Sequence, residues 1–541
     1  MSGDGVSPLE VTLETVRATA SNYNIPPDVK YAYGTAGFRC KADILPPAAY
    51  RMGLLAALRA KSVKATIGVM VTASHNPPED NGLKVVEPQG EMLLPRWEHY
   101  STQLSNTDSA SLVEVLQDFS DEAEVTLTSS RGKLVVGRDT RESGPDIVAA
   151  VTAGAENLQC KVHNIGVCTT PQLHWIVKQT NISKPNTLQD YYRTFADSFI
   201  HLYGKDDVKH SIKVDCANGV GAIALRTIAP LLSDHIDITI CNDGSTGRLN
   251  ENCGADFVKL MQNAPRGVNY VENEHCYTID GDADRSLFFY SQDHKFYMLD
   301  GDKIATLFAW FLNSLMQEAE LNLSLGVVQT AYANGSSTSY LYSKGIPVVC
   351  VPTGVKHLHK RAEDFDVGVY FEANGHGTVL FSDTAMEMIN IRSVRETRKT
   401  QKSAVTRLLA FSKLINTAVG DAVTNILAIE TILKLCKLSP ASWNEMYADL
   451  PYRQLKINIR DRDIIKTTDA ERKISSPEGM QEKVDALVSD FSSARCFVRP
   501  SGTENCVRVH AECATQREAD TLAMSVGSMV FDFTEALYSR L

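Results

Sequence analysis

Thr66-Ile67-Gly68-Val69-Met70-Val71-Thr72-Ala73-Ser74-His75-Asn76-Pro77 is the stretch from which the rest of the chain is read. Its first half is an apolar run, the pattern of a buried strand. Thr72 to Pro77 are turn formers, so the strand stops and Ser74 stands on a loop just past its end. Strand ends are where α/β proteins put ligands. An unhindered serine beside His75, on a loop held by a rigid strand, can carry chemistry. Taken alone it reads first as an ordinary turn serine, because short motifs match by chance.

At 541 residues the chain is too long for one core and should hold about three to five domains. A net charge of −11 excludes general nucleic-acid binding, which needs a basic surface. An anionic ligand must therefore be held by local positive groups. No apolar run approaches the ~18 residues that span a bilayer. Met1 to Lys30 is acidic and polar, unlike a secretory leader. The 12 cysteines are scattered, without a Cys-x-x-Cys pair, and read as reduced, mostly buried thiols of a cytoplasmic protein. No membrane and no obligate protein partner is implied.

Working outward, a lead-in that is helical around Leu9–Ala18 precedes Tyr33-Gly34-Thr35-Ala36-Gly37-Phe38-Arg39, a glycine loop whose Arg39 can reach a phosphate. A helix is expected over Ala48–Ala60. After Ser74 the chain turns back at Glu79–Gly82, and Lys84 starts a strand that could point at the same loop. Lys133–Val136, the loop Gly137–Arg141 and a helix over Asp146–Asn157 continue a βα rhythm, the signature of a mostly parallel sheet. A polar helix over Val177–Asp207, broken at Pro185, closes the first domain near residue 205. The rhythm restarts at Ser211–Asp215. Ala217-Asn218-Gly219-Val220-Gly221 reads as a tight strand-to-helix turn rather than a nucleotide loop.

Asp280-Gly281-Asp282-Ala283-Asp284-Arg285 is the second strong stretch, flanked by apolar strand-like runs. Its three alternating carboxylates repel one another, which a folded chain tolerates when the loop is solvated or a cation binds. An all-oxygen donor set suits Mg²⁺ or Mn²⁺. An EF-hand fails, since Arg285 and Ser291 occupy its glycine and closing-glutamate positions. Asp300-Gly301-Asp302-Lys303 reads as the cap of the helix Ile304–Leu315. Three further strands, Gly326–Thr330, Ile346–Val351 and Val367–Phe371, end in polar loops. The second loop is Thr353-Gly354-Val355-Lys356-His357. The third, Glu372-Ala373-Asn374-Gly375-His376-Gly377, sets a carboxylate and an amide two residues apart, which suits paired sugar hydroxyls. Arg392–Lys402 reads as a solvated basic helix face. From about 450 the chain turns α+β, with a long final helix. Here Arg499-Pro500-Ser501-Gly502-Thr503-Glu504 has the guanidinium, hydroxyls and backbone of a phosphate nest, with Arg508 on the next strand.

These four stretches, in this order, resemble the α-D-phosphohexomutase family, from about residue 31 to the end. Other members carry Gly-Glu-x-Ser-Gly-His in the sugar loop. The Phe371-Glu372-Ala373-Asn374-Gly375-His376 of this chain resembles the branch acting on N-acetylated sugar phosphates. The resemblance implies an α/β protein of four-domain phosphohexomutase architecture: three related α/β domains, at 1–205, 206–300 and 301–447, plus a C-terminal α+β domain at 448–541, around a central cleft. It implies reversible interconversion of N-acetyl-D-glucosamine 6-phosphate and 1-phosphate, serving UDP-N-acetylglucosamine synthesis. Ser74 would carry the phosphate, exchanged through a 1,6-bisphosphate. Asp280, Asp282, Asp284 and the phosphoserine would hold one Mg²⁺, with a hexose 1,6-bisphosphate as activator. Arg39, Lys84, His75 and Arg285 would surround the moving phosphoryl group, and Lys84 or His75 could move protons. Glu372, Ala373 and Asn374, with Lys356 and His357, would meet the sugar. Arg499, Pro500, Ser501, Gly502, Thr503 and Arg508 would hold the other phosphate. A mutase for glucose or mannose phosphates, an aspartyl phosphatase and a non-catalytic phosphosugar binder are the alternatives.

Overall fold

β-strands and helices alternate along a computed structural model that describes residues 7–34, 37–128, 132–205, 209–501 and 505–538. They group into two compact units, one of residues 1–298 with 413–428, the other of 299–412 with 429–541.

The first unit holds β1 (Phe38–Lys41), β2 (Thr66–Val71), β3 (Asp80–Val86), β4 (Lys133–Arg138) and β5 (Lys161–Val167), in the order β1-β3-β2-β4-β5. β2, β4 and β5 run parallel, and β3 returns antiparallel against β2. β2 is buried at every position, as its unbroken apolar run requires of a strand covered on both faces. Ile67, Val69 and Val71 pack in one core with Leu54 and Leu58 of the helix Pro46–Val63 and Val151 of the helix Gly144–Asn157. A second sheet contains β6 (His210–Asp215), β7 (Ile236–Cys241), β8 (His275–Ile279), β9 (Ser286–Gln292) and β10 (Lys295–Leu299), ordered β10-β9-β8-β6-β7. Again β7, β6 and β8 are parallel and β9 is antiparallel to β8.

The second unit repeats that scheme with β11 (Leu325–Thr330), β12 (Val348–Val351), β13 (Val367–Phe371) and β14 (Gly377–Phe381): β12, β11 and β13 are parallel, β14 antiparallel to β13. Its last part is α+β. β15 (Tyr452–Asn458), β18 (Arg495–Pro500) and β19 (Cys506–Glu512) form an antiparallel sheet, ordered β15-β19-β18. β16 (Lys466–Thr468) and β17 (Lys473–Ser476) form a separate hairpin. Val507, Val509 and Ala511 share a core with Leu522, Val526 and Val530 of the closing helix Gln516–Tyr538.

Each of the four motif loops is thus the tip of an antiparallel hairpin: β2–β3 for Ser74, β8–β9 for the aspartates, β13–β14 for Glu372 and β18–β19 for Arg499. In the three α/β sheets that tip lies at the carboxyl end of a strand belonging to the parallel set, the end where ligands collect.

Some elements differ from expectation. The polar segment expected over Val177–Asp207 breaks around Pro185 as expected, but its first helix, Thr170–Asn181, starts earlier than Val177; the second is Leu188–Tyr203, and each is opened by a threonine capping box. The basic run Arg392–Lys402 is not one solvated face. One helix ends at Arg395, another starts at Lys399, and Arg392 and Arg398 pair with Glu320 and Glu396. Lys84 does not start its strand but sits inside β3, which begins at Asp80 because Asn81 and Gly82 pair with Cys40 and Arg39.

Candidate active site

In the first unit the site is built on the β2–β3 tip. Ser74 has φ +51°, a left-handed backbone that costs a non-glycine residue roughly 1–2 kcal/mol. Its surroundings hold it there. Ser74 N donates to Thr72 Oγ1 at 2.9 Å, and Thr72 Oγ1 donates to Asp139 Oδ2 at 2.6 Å. Asp139 in turn takes Arg141 Nε at 3.0 Å. The Arg141 guanidinium then gathers the loop carbonyls, donating to Pro77 O, Asp80 O, Ser74 O and Asn76 O at 2.5–2.9 Å. Asn250 Nδ2 reaches the last two as well, each at 2.9 Å. The serine is consequently buried, not the unhindered group its turn sequence suggests. Tertiary donors have folded the loop inward.

Ser74 Oγ donates to Asp280 Oδ2 at 2.6 Å and lies 3.3 Å from His75 Nδ1. Gly281 permits this approach: a Cβ there would sit 2.5 Å from Ser74 O. Asp280 Oδ1 receives the backbone N–H groups of Asp284 and Arg285 at 3.0 and 3.1 Å, which curls the loop. One carboxylate oxygen from each of Asp280, Asp282 and Asp284 falls within 4.8 Å of the others, and all three residues are buried. Lys84 Nζ donates to Asp282 at 2.7 Å and Asp284 at 2.9 Å, and Thr170 Oγ1 donates to Asp282 at 2.6 Å. Among the described residues Asp282 Oδ1 is buried with no hydrogen-bond partner.

Burial, then the charges of Asp282 and Asp284, push the Asp280 carboxyl well above the usual range. Burial and Asp284 also push Asp282 upward, but Lys84 and its hydrogen bonds outweigh them and hold it at about 2. Lys84 stays charged: burial disfavours the ammonium, and Asp282 and Asp284 more than compensate. Arg285 donates to Asp256 at 2.6 Å and stands 3.9 Å from Asp280 and Asp284. Arg39 Nη1 lies 3.3 Å from His75 Nε2. Burial and the Arg285 charge push His75 down to about 3, so its ring is neutral at physiological pH and can accept from Arg39.

Ser74, His75, Lys84, Arg39, Arg285 and the three aspartates are thus brought together within one unit. The chain, acidic as a whole, sets Arg141 against the serine's carbonyl and Lys84, Arg39 and Arg285 on the aspartates and histidine around it. Thr170, Arg141, Asn250 and Asp256 join the site without a sequence signal that assigns them to it. Arg141 was visible only as part of a strand-end loop, and the others stand in stretches without a motif. Ala422 N also donates to Ala283 O at 3.0 Å, so segment 413–428 steadies the aspartate loop from far along the chain.

In the second unit Asn374 Nδ2 donates to Glu372 Oε2 at 3.2 Å, so the two side chains expected to meet a sugar stand together. Gly375, at φ +90°, closes the turn, and its N–H donates to Glu372 O at 2.9 Å. Gly301 N donates to Ala373 O at 3.4 Å, and Asp300 caps its helix as expected. Lys356 and His357 occupy the first turn of the helix Val355–Ala362. Arg499 and Arg508 stand directly opposite each other on β18 and β19. Pro500 ends β18, and Ser501, buried, donates its N–H to Cys506 O at 2.9 Å. Gly502 and Thr503 lie outside the described residues, as do Thr35 and Ala36.

Comparison with known proteins settles the family. Residues 54–109 and 113–188 match the model "Phosphoglucomutase/phosphomannomutase, alpha/beta/alpha domain I", and 457–527 the corresponding C-terminal domain. Residues 182–287 and 300–438 match "Phosphoacetylglucosamine mutase AMG1" domains II and III. The chain is 47% identical to the phosphoacetylglucosamine mutase of Homo sapiens, over 94% of this chain and 95% of that one. It belongs to the phosphoacetylglucosamine mutase family.

Phosphoacetylglucosamine mutase 1 of Schizosaccharomyces pombe is similar at 44% identity, over 93% of this chain and 99% of its own. Among solved structures, the Aspergillus fumigatus N-acetylphosphoglucosamine mutase in complex with GlcNAc-6P and magnesium matches with a TM-score of 0.92 and 43% identity, covering 97% of this chain and 99% of that one. A serine variant of the same fungal enzyme, in complex with glucose 1,6-bisphosphate, matches with a TM-score of 0.91 and 42% identity, at the same coverage. The resemblance to α-D-phosphohexomutases is therefore borne out, as is the phosphohexomutase fold that it implied.

Proposed function

We propose that this phosphoacetylglucosamine mutase family member interconverts N-acetyl-D-glucosamine 6-phosphate and 1-phosphate through a phosphoserine at Ser74. The observation that carries the reading is the 2.6 Å contact of Ser74 Oγ with Asp280, inside a buried cluster of three carboxylates. A hydroxyl held only to be structural needs no such neighbours, and a binding protein needs neither.

Starting from phosphorylated Ser74, the sugar O1 attacks phosphorus. The O1–P bond forms, the P–Oγ bond breaks, and the O1 proton passes to the serine oxygen. The hexose 1,6-bisphosphate then presents its 6-phosphate, and the reverse transfer restores phosphoserine. Atoms and charge balance over the cycle, and added hexose 1,6-bisphosphate recharges any bare serine. Lys84, Arg39 and Arg285 offset the charge on the moving phosphoryl group. His75, neutral beside Ser74 Oγ, can relay the proton. Glu372 and Asn374 orient sugar hydroxyls, and Ala373, Lys356 and His357 are assigned to the sugar with them. Arg499, Ser501, Gly502, Thr503 and Arg508 hold the phosphate that is not moving, which lets either end of the substrate be anchored.

Asp280, Asp282 and Asp284 fit Mg²⁺: the donors are hard oxygens, close together, and Asp282 Oδ1 is buried without a partner among the described residues. When bound there, with a phosphoserine oxygen, the ion supplies charge neutralisation for phosphoryl transfer. We divide the chain into four domains at 1–205, 206–300, 301–447 and 448–541; the four family-model spans support that number, and the second of them, which starts at 182, reaches across the 205 boundary. We assign the reaction to the supply of UDP-N-acetylglucosamine, in the cytoplasm. The free cysteines suit a reducing compartment, and among the described residues no helix is long and apolar enough to cross a membrane.

Phosphopeptide mass spectrometry of the purified protein tests the reading. Phosphate on the peptide containing Ser74, exchanging with labelled substrate, supports it. Label on an aspartate of the 280–284 loop would make the protein a phosphatase instead.

A further inference from the structure

The stretch Thr467-Thr468-Asp469-Ala470-Glu471-Arg472 has no role in the reading above, yet it has the most unusual backbone in the second unit. Asp469, Ala470 and Glu471 have φ of +52°, +55° and +66°, three consecutive left-handed residues, none of them glycine. Residues bearing Cβ avoid this region, and Ala and Glu have no local side-chain bond to favour it. The tip of the β16–β17 hairpin is held in this shape by Arg472, whose Nη2 donates to Asp469 Oδ1 at 2.6 Å and whose Nε donates to Asp469 O at 3.0 Å. Strain of this kind persists where the surroundings over-determine it, and it directs attention to what the strained residue touches.

Glu471 touches two of the loops singled out for substrate. Its Oε1 accepts Arg499 Nε at 2.8 Å, and its Oε2 accepts the backbone N–H of Thr353 at 2.8 Å. Both partners of the ion pair are largely buried, with side chains 17% and 19% exposed. Burial alone would raise the Glu471 carboxyl, but the Thr353 amide and Arg499 hold it below the usual range. We propose that Glu471 is a positioning residue for the mutase reaction, aiming the Arg499 guanidinium at the substrate's phosphate and tying it to the Thr353–His357 loop.

The geometry suits that role. A bond at Nε fixes the plane of a guanidinium, while bidentate phosphate recognition can use its Nη end. Arg499 and Arg508 face each other across β18 and β19, an arrangement of like charges that a counter-charge stabilises before the dianion arrives. The Thr353 amide is fixed backbone, so the carboxylate is anchored on one side and directs Arg499 from the other. Anchoring the phosphate and setting the 353–357 loop thereby become one event.

The inference rests on Arg499 being a phosphate ligand, and its test separates the two. Steady-state kinetics with N-acetylglucosamine 6-phosphate are compared for the full chain, Glu471→Gln, Glu471→Asp, Arg499→Lys and the double variant Glu471→Gln/Arg499→Lys. Glu471→Asp keeps the charge but is too short to bridge both partners. Both Glu471 variants should raise KM about tenfold, the scale of one charge-assisted bond, with kcat within about twofold and an unchanged melting midpoint. In the Arg499→Lys background the Glu471→Gln effect should largely vanish, which a merely structural loop would not produce. An unchanged or lowered KM in a Glu471 variant that melts like wild type overturns the proposal, because the carboxylate would then be idle or compete with phosphate. So does an undiminished effect in the double variant. A wild-type KM for Arg499→Lys instead sinks the assignment of Arg499 itself.

Discussion

Ser74 Oγ and Asp280 Oδ2 are 2.6 Å apart, although 206 positions separate the two residues in the chain. The contact joins the tips of two hairpins from different sheets. It sets the hydroxyl that is to carry phosphate against a carboxylate whose ionisation burial and the charges of Asp282 and Asp284 oppose. A doubly charged phosphate on Ser74 would add to that opposition, so phosphorylation and cation binding should strengthen each other.

Replacing Ser74 by Ala should abolish turnover. A loss of about 4 kcal/mol in transition-state stabilisation already lowers the rate about a thousandfold. Assaying the variant with added glucose 1,6-bisphosphate checks this, since the activator rescues a bare serine but not a missing one. An active Ser74→Ala enzyme would reduce the stretch to a turn.

Asp282→Ala should cost activity far more than stability. It removes an oxygen without a protein partner and part of the repulsion with Asp284, at the cost of the buried bonds from Lys84 at 2.7 Å and Thr170 at 2.6 Å, while Lys84 keeps Asp284 at 2.9 Å. In EDTA the variant should melt moderately below wild type but remain folded, and added Mg²⁺ should raise the wild-type midpoint only. Equal losses of stability and activity would argue against a metal role.

Arg141→Lys should lower kcat by roughly tenfold or more, because one ammonium cannot reproduce a planar fork serving four carbonyls. The measurement is kcat beside the melting midpoint. The expected signature is a catalytic loss larger than the modest drop in stability.

Glu372→Ala should weaken binding of the sugar phosphate and lower turnover together. Orientation is lost while the cationic phosphate contacts remain, and Asn374 loses the partner at 3.2 Å that steadies it. Titration of the variant with N-acetylglucosamine 6-phosphate, followed by kinetics, checks both effects. Unchanged values would remove this loop from the site.

Stability should fall in acid through Glu512. Burial disfavours its charge, but Arg495 and His510 bring the folded carboxyl to about 2, below the unfolded value of 4.5. The stabilisation is therefore complete above about pH 4.5 and is lost as the pH falls toward 2, on the order of 3 kcal/mol in all. Urea midpoints of wild type and Glu512→Gln at pH 7 and pH 3 test it. The gap between them should narrow at the lower pH.

The amino-acid sequence by itself determined the loops and their chemistry. Thr72–Pro77, Asp280–Arg285, Glu372–Gly377 and Arg499–Pro500 are bounded by apolar runs only a few residues away. A strand that stops at turn formers is a local event, decided by side-chain volume and backbone preference. The parallel sheets followed from the same alternation. Only the tertiary structure decided that Ser74 is buried, that Asp256 meets Arg285, that Arg141 and Asn250 gather the Ser74 loop, and that Glu471 bridges Thr353 and Arg499. Asp256, Asn250 and Glu471 are single polar residues in stretches whose sequence assigns them no role, and Arg141 stands out only as part of a strand-end loop. Their partners lie tens to hundreds of positions away, and nothing in their neighbours' periodicity encodes the distance. What selects the partner is the packing of one sheet's loops on another's. That packing sets the burial, and burial is what makes a charge costly unless it finds its counterpart.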